Sequence, residues 1–175
     1  ARPRARGAFI RRRGDDLRTG DVVLSPGSLL GPLQIAALAA AGVADVEVSR
    51  PPRVVVVSTG SELVQPGLAL ARGQIPDSNG LLLAALAADA GAVVVHTTSV
   101  GDDNAALDAV VAEASVLHAD AIVFSGGVSA GAFEVVKNTM GAVMEFSRIA
   151  MQPGKPQGFG TTPEGMLLFG LPGNP

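Results

Sequence analysis

The 175-residue sequence contains no cysteine, which excludes disulfides, thiolate catalysis and cysteine-held zinc or iron–sulfur centres. Its two histidines, His96 and His118, stand apart and make a poor basis for a metal cluster. No apolar run approaches the ~20 residues that span a bilayer; Leu81–Ala88 is among the longest. No signal-peptide pattern opens the chain. Net charge is −3, so whole-chain basicity gives no argument for nucleic acid. Six arginines do fall by residue 13: Arg2, Arg4, Arg6, Arg11, Arg12 and Arg13. Asp15 and Asp16 follow at once without a serine-rich stretch. That favours a solvated structural segment over a basic arm or transit peptide.

What is present suits a folded domain. The apolar fraction of 47% can build a core. The length fits one domain, or one plus a fragment of another. Arg50-Pro51-Pro52-Arg53 reads as a connector, dividing a small mixed α+β segment over 1–52 from an α/β domain over 53–175. The chain begins at Ala1 and stops at Pro175 inside a Leu-Pro-Gly-Asn-Pro turn, so it reads as a fragment of a longer protein, cut at its C-terminal side. In the first segment, Val22–Leu24 reads as a strand. Gly31-Pro32 opens a helix through about Ala41 with Gly42 as its stop. Val43–Val48 reads as a second strand.

Beyond the connector, strand and helix alternate. Arg53–Val57 is a β-branched run expected of a strand buried on both faces. Asp77-Ser78 can cap a helix carrying Leu81, Leu82, Leu83 and Leu86, stopped by Gly91. Ala92–Thr97 is the next strand. Asp103 caps a helix whose Leu107, Val110, Val111, Ala114 and Leu117 share a face. Asp120–Phe124 is a third strand. A short helix from about Ala132 precedes strands near Val143–Ala150 and Met166–Phe169. The alternation predicts a three-layer αβα domain with a mostly parallel sheet covered on both sides.

Ligands of open parallel sheets bind outside the carboxyl ends of the strands, and the loops predicted there are unusual. Ser125-Gly126-Gly127-Val128-Ser129-Ala130-Gly131 lies between a strand and a helix. Its glycines let backbone N–H groups face a ligand, and a helix N-terminus adds positive potential, which suits an oxyanion. It is neither a Walker loop nor a dinucleotide fingerprint. Glu62, Asp102, Asp103 and Glu134 follow different strand ends or lie just into the next helix. Acids beside an oxyanion call for a cation, and Mg²⁺ binds through one or two carboxylates plus phosphate oxygens. Asp103 is accounted for as a helix cap; Glu134 fits a helix-face charge equally well. Lys155, in Pro153-Gly154-Lys155-Pro156, is a point charge on a stiff turn, suited to an oxyanion or simply solvated. His96, on a strand, reads as structural. His118, at a helix end, complements the dipole.

These loops, taken in order, resemble a known family. STGSEL at 58–63, GQIPDSN at 73–79, VGDDNAAL at 100–107, SGGVSAG at 125–131, MQPGKP at 151–156 and GLPGNP at 170–175 are similar to the molybdopterin molybdenumtransferases. These are the MoeA-type molybdenum insertases, whose eukaryotic relatives include the gephyrin E domain. IRRRGDDLRTGDVVLSPGSLLGP at 10–32 looks like the segment preceding their pterin-binding, MogA-like domain. The resemblance implies a cytoplasmic, homodimeric enzyme without nucleic-acid or membrane partners. It would take adenylylated molybdopterin and molybdate with Mg²⁺, release AMP and leave molybdenum on the pterin dithiolene.

By motif position, Glu62 falls on the acid after the first strand and Asp102 on the acid of the second loop. Asp102 and Glu134 would hold Mg²⁺. Ser129 would face the pterin and its phosphate, with Thr59, Gly60, Asn79, Ser125, Gly126 and Gly127. Lys155, with Pro153, Gly154 and Pro156, would draw molybdate. Glu62 would position either a water or a pterin nitrogen. Two positions depart from the family: Glu134 stands where aspartate is frequent, and Gln152 where lysine is frequent, which removes one positive charge. Two other readings share the pattern. One is a competence-damage-type nucleotide hydrolase or deamidase on the same domain; the other is a non-catalytic pterin-binding scaffold.

Overall fold

The computed structural model describes residues 5–128 and 134–173. It divides into two units, Ala1–Ser49 and Arg50–Pro175. That division lies three residues before the connector boundary expected at 52/53, because Arg50 already binds the second unit's Asp120 through both guanidinium nitrogens, at 2.6 and 2.5 Å.

The first unit contains one helix among its described residues, α1 (Pro32–Ala40). Proline at its first position needs no N–H partner, and the Gly31 N–H donates to Gln34 Oε1 at 3.2 Å. The strands expected at Val22–Leu24 and Val43–Val48 do not form. Neither run finds a partner strand, and Val22, Val46 and Val48 stay 78, 44 and 66% exposed; a β-branched run without a ladder has no reason to extend. No residue from 5 to 49 is buried. Arg11, Arg12 and Arg13 are exposed, and Arg11 pairs with Asp16 at 2.5 Å.

The second unit runs β1 (Arg53–Thr59), β2 (Leu63–Val64), β3 (Ile75–Pro76), α2 (Asn79–Asp89), β4 (Val93–Val100), α3 (Asn104–Val116), β5 (Ala121–Ser125), α4 (Val135–Met140), β6 (Met144–Arg148), β7 (Pro156–Thr161) and β8 (Leu167–Leu171). The main sheet has the order β4-β1-β5-β8-β7-β6. Its first four strands are parallel, and β7 and β6 join antiparallel. The mostly parallel αβα architecture is therefore as expected. Three strands were not: β7, whose Pro-Gln-Gly-Phe-Gly-Thr sequence is poor in β-branched residues, and the two-residue ladder β2–β3.

Alternation along β1 divides the core. Val55 and Val57 pack with Ile122, Phe124, Leu107, Val110, Ala114, Val136 and Leu168 beneath α3 and α4. Val54, Val56 and Ala121 face α2, where Leu83 and Ala84 cover them. Fully burying such a side chain contributes roughly 1.5–3 kcal/mol, so the first cluster dominates stability. Of the expected α2 leucines only Leu83 packs; Leu81, Leu82 and Leu86 remain 60, 55 and 55% exposed. The caps are local. Asp103 accepts from the Ala105 N–H at 2.9 Å, and Asp77, rather than Ser78, accepts from the Gly80 N–H at 3.0 Å. Glu134 is the N-cap position of α4, not a residue of its face. Ala132, where that helix was expected to open, lies outside the described residues.

Strand-end loops are tied to one another by short bonds. Gly60 N–H donates to Val100 O at 3.0 Å and Gly126 N–H to Leu171 O at 2.9 Å. Asn79 Nδ2 donates to Ser125 Oγ at 3.0 Å and to Gly173 O at 2.6 Å. Gly126 has φ +94°, and a Cβ there would stand 2.7 Å from Thr59 Oγ1 and 2.8 Å from Thr59 O. At the opposite sheet end, Asp120 binds Arg50 and accepts from the Arg53 N–H at 2.7 Å. The hydrogen bonds from Arg50 and Arg53 hold its carboxyl down at about 2, below the ordinary 3.8.

Because the folded Asp120 is the stronger acid, its stabilisation is complete above about pH 4 and fades as pH falls toward 2. Asp120→Asn should lower Tm by about 2–4 °C at pH 7, with the gap to wild type closing across that acid window in thermal melts. Gly126→Ala combines left-handed backbone with the Thr59 clash. Urea titration should show it costing about 2–4 kcal/mol. Gly67→Ala, at φ +91° with nothing within 4 Å, should cost only about 1–2 kcal/mol. Equal losses at the two positions would remove the close approach as a cause.

Candidate functional site

β1 lies between β4 and β5, so the chain reverses its direction of travel across the sheet at β1. That is where open α/β sheets place a ligand crevice. A cavity of about 670 Å³ opens there, within the usual 300–1,000 Å³ of small-molecule sites. Thr59, Gly60, Asn79, Ser125, Gly126 and Gly127 line it, with the carboxylates of Glu62, Asp77, Asp102 and Glu134. Of the expected residues, Glu62, Asp102 and Glu134 thus share one cavity. Asp103 does not: it caps α3 and faces a smaller recess with Asp102 and Asn138.

Asp77 and Asp102 are held by neighbours. Asp77 Oδ1 accepts from Ser58 Oγ and the Gly80 N–H, both at 3.0 Å. Asp102 Oδ2 accepts from Ser61 Oγ at 2.9 Å, and its own N–H donates back to Ser61 Oγ at 3.1 Å. This reciprocal pair fixes the Asp102 carboxylate while leaving it exposed to solvent. The Glu62 carboxylate folds back over Gly60, where an added Cβ would stand 2.6 Å from Oε2. Asp77 and Gly173 were not among the expected site residues. Asp77 reads in sequence as a cap, and it is one; its place in the cavity wall follows from the β2–β3 ladder, which brings residues 75–77 alongside Leu63.

The glycine turn forms the next wall. Ser125 and Thr59 are buried at 3 and 8% exposure, and Thr59 Oγ1 donates to Ser125 O at 3.3 Å. Gly127 has φ +66°, and its carbonyl accepts from the Lys137 N–H of α4 at 3.0 Å. Ser129 lies outside the described residues. A second cavity of about 330 Å³ runs from Gly126 and Gly127 to Gln152, Pro153, Gly154, Lys155 and Pro156. It shares Gly126, Gly127 and Gly173 with the acidic cavity. Asp102 and Lys155 therefore line two cavities that share the glycine turn. The Ile149 N–H donates to Lys155 O at 2.9 Å, closing the turn that carries the lysine.

Among the described residues, no group of three Asp, Glu or His side chains could hold a metal alone. The donor set fits Mg²⁺, which takes one or two carboxylates and completes its shell with phosphate oxygens and water. It does not fit zinc, whose structural sites need four nitrogen or sulfur donors. His96, 3.9 Å from Glu113, lies outside this cavity.

The comparisons with known proteins bear on this cavity. A family model described as a probable molybdopterin binding domain matches residues 55–175. A model of the MoeA N-terminal region (domain I and II) matches residues 1–42. Molybdopterin molybdenumtransferase 2 of Mycobacterium tuberculosis is 46% identical over 97% of this chain and 43% of its own length. The chain thus spans less than half of the curated relatives it matches. A molybdopterin biosynthesis MoeA protein from Pyrococcus horikosii superposes with a TM-score of 0.74 at 36% identity, over 91% of this chain and 40% of that one. A CinA protein of Thermoplasma acidophilum shares the fold alone, with a TM-score of 0.52 at 15% identity, over 73% of this chain and 91% of that one. With its strand-end cavity on the matched segment, the chain belongs to the molybdopterin-binding domain family.

Proposed function

We propose that this chain supplies the pterin- and molybdate-holding part of a molybdopterin molybdenumtransferase. Its substrates would be adenylylated molybdopterin and molybdate, and its products AMP and the molybdenum-loaded pterin. The supporting observation is the charge order along the strand ends. Four carboxylates line one cavity, the Gly126-Gly127 turn follows, and Lys155 lies beyond it.

In this reading the glycine turn takes the terminal phosphate on backbone N–H groups, with Ser129 beside it. Thr59, Gly60, Asn79 and Ser125 contact the pterin end. Asp102 and Glu134 would hold Mg²⁺, which would supply charge neutralisation for the pyrophosphate. Ser61 keeps the Asp102 carboxylate aimed, so little reorganisation is needed as charge shifts. Glu62 orients a water or a pterin nitrogen. Lys155, with Pro153, Gly154 and Pro156 setting its turn, attracts molybdate toward the dithiolene. Positioning and charge neutralisation of this kind supply most of the rate in phosphoryl chemistry. The same reading takes the working protein as a homodimer, on the family resemblance alone.

Incubation of the full-length protein with adenylylated molybdopterin, molybdate and Mg²⁺ should release AMP, followed by chromatography; residues 1–175 alone should turn over poorly. Asp102→Asn should slow that release about a hundredfold without lowering Tm. AMP release at the wild-type rate by this variant would favour the scaffold reading. Breakdown of nicotinamide nucleotides, with none of adenylylated molybdopterin, would favour the hydrolase.

A further inference from the structure

The cations of the second unit are few and gathered. After Arg72 the sequence holds only three lysines or arginines, Lys137, Arg148 and Lys155, against ten aspartates and glutamates. They come from α4, β6 and the turn before β7. All three line one cavity of about 310 Å³, with Val128, Phe146, Ser147 and Pro156. No acid appears among its described lining residues, and none of the three forms a salt bridge to a described acid.

The sheet explains the gathering. Arg148 pairs with Pro156 across the β6–β7 hairpin, which sets it beside Lys155. Along β6, Arg148 follows Met144 and Phe146 at intervals of two. Those two pack on the α3/α4 side, so Arg148 faces α4, the helix of Lys137. Val128, Lys155 and Pro156 also line the cavity beside the glycine turn, so the two spaces adjoin. Gln152 lines only that neighbouring space. Like charges brought together repel unless an anion joins them, and an acidic chain that places every available cation of a long stretch in one recess has built a counter-charge site.

We propose that Lys137 and Arg148 form, with Lys155, a subsite for a tetrahedral dianionic oxyanion. This rests on the proposed function for the identity of the anion but not for its existence. Guanidinium offers a planar pair of donors and the two ammonium groups act as point charges, a combination suited to several oxygens of one small anion. Such an anion has two sources, free molybdate or a substrate phosphate.

Isothermal titration with sodium molybdate, and separately with inorganic phosphate, tests it at low ionic strength. Wild type should bind at least one of them. Lys137→Gln and Arg148→Gln should each weaken binding about tenfold, Arg148→Lys should weaken it less, and Arg72→Gln, which removes the same charge from an exposed loop, should leave it unchanged. Molybdate binding tighter than phosphate assigns the subsite to the free oxyanion; the reverse assigns it to the substrate phosphate. Absent binding in wild type, undiminished binding in both Gln variants, or equal weakening by Arg72→Gln would overturn the subsite. Failure here with intact AMP release would leave the proposed function standing. Anion binding without AMP release would do the opposite.

Discussion

Parallel pairing of β1 with both β4 and β5 is the constraint on which the site depends. The register of Ser58 with Ser99 on one side and Ser125 on the other brings three chain exits to one edge. Residues 59–62, 100–102 and 125–128 then have no choice but proximity. The Thr59–Gly126 approach tightens it, because only a residue without a Cβ can stand that close to Thr59. Packing beneath α3 and α4 holds the strands. The glycine turn is the part of that edge common to both cavities.

Charge is distributed along this edge in a way that neither the net charge nor any single motif conveys. Carboxylates occupy the side where β2–β3 and the β4 exit meet; cations occupy the side where the antiparallel hairpin returns. A substrate with a cation-bridged pyrophosphate at one end and an oxyanion acceptor at the other matches that polarity. On the proposed reading the antiparallel extension belongs to the site, since Arg148 lies on β6 and Lys155 just before β7.

The parallel half of this architecture was legible because β1 and β5 are continuous apolar runs and α3 carries its core residues at helical spacing. The Asp103 cap was legible for the same local reason. The strands expected at Val22 and Val43 failed because propensity without a partner strand forms no ladder. β7 was hidden by its own composition, Pro156, Gly158 and Gly160, which no periodicity flags. In the candidate site, Glu62, Asp102 and Glu134 were expected from their loops and line one cavity, and Lys155 lines the adjoining one. Asp77 was visible only as a cap. Lys137 and Arg148 gave no signal, since a lysine mid-helix and an arginine on a strand are ordinary until topology sets them side by side. The scarcity of cations after Arg72 was the one hint in the sequence.

The most direct test of the shared edge is anomalous diffraction at the molybdenum absorption edge from crystals soaked with molybdate and AMP. The account predicts a molybdenum peak beside Lys155, with phosphate density against the Gly127 amide. A molybdenum peak remote from Lys155, or AMP bound at the Arg53–Asp120 end of the sheet, would contradict it.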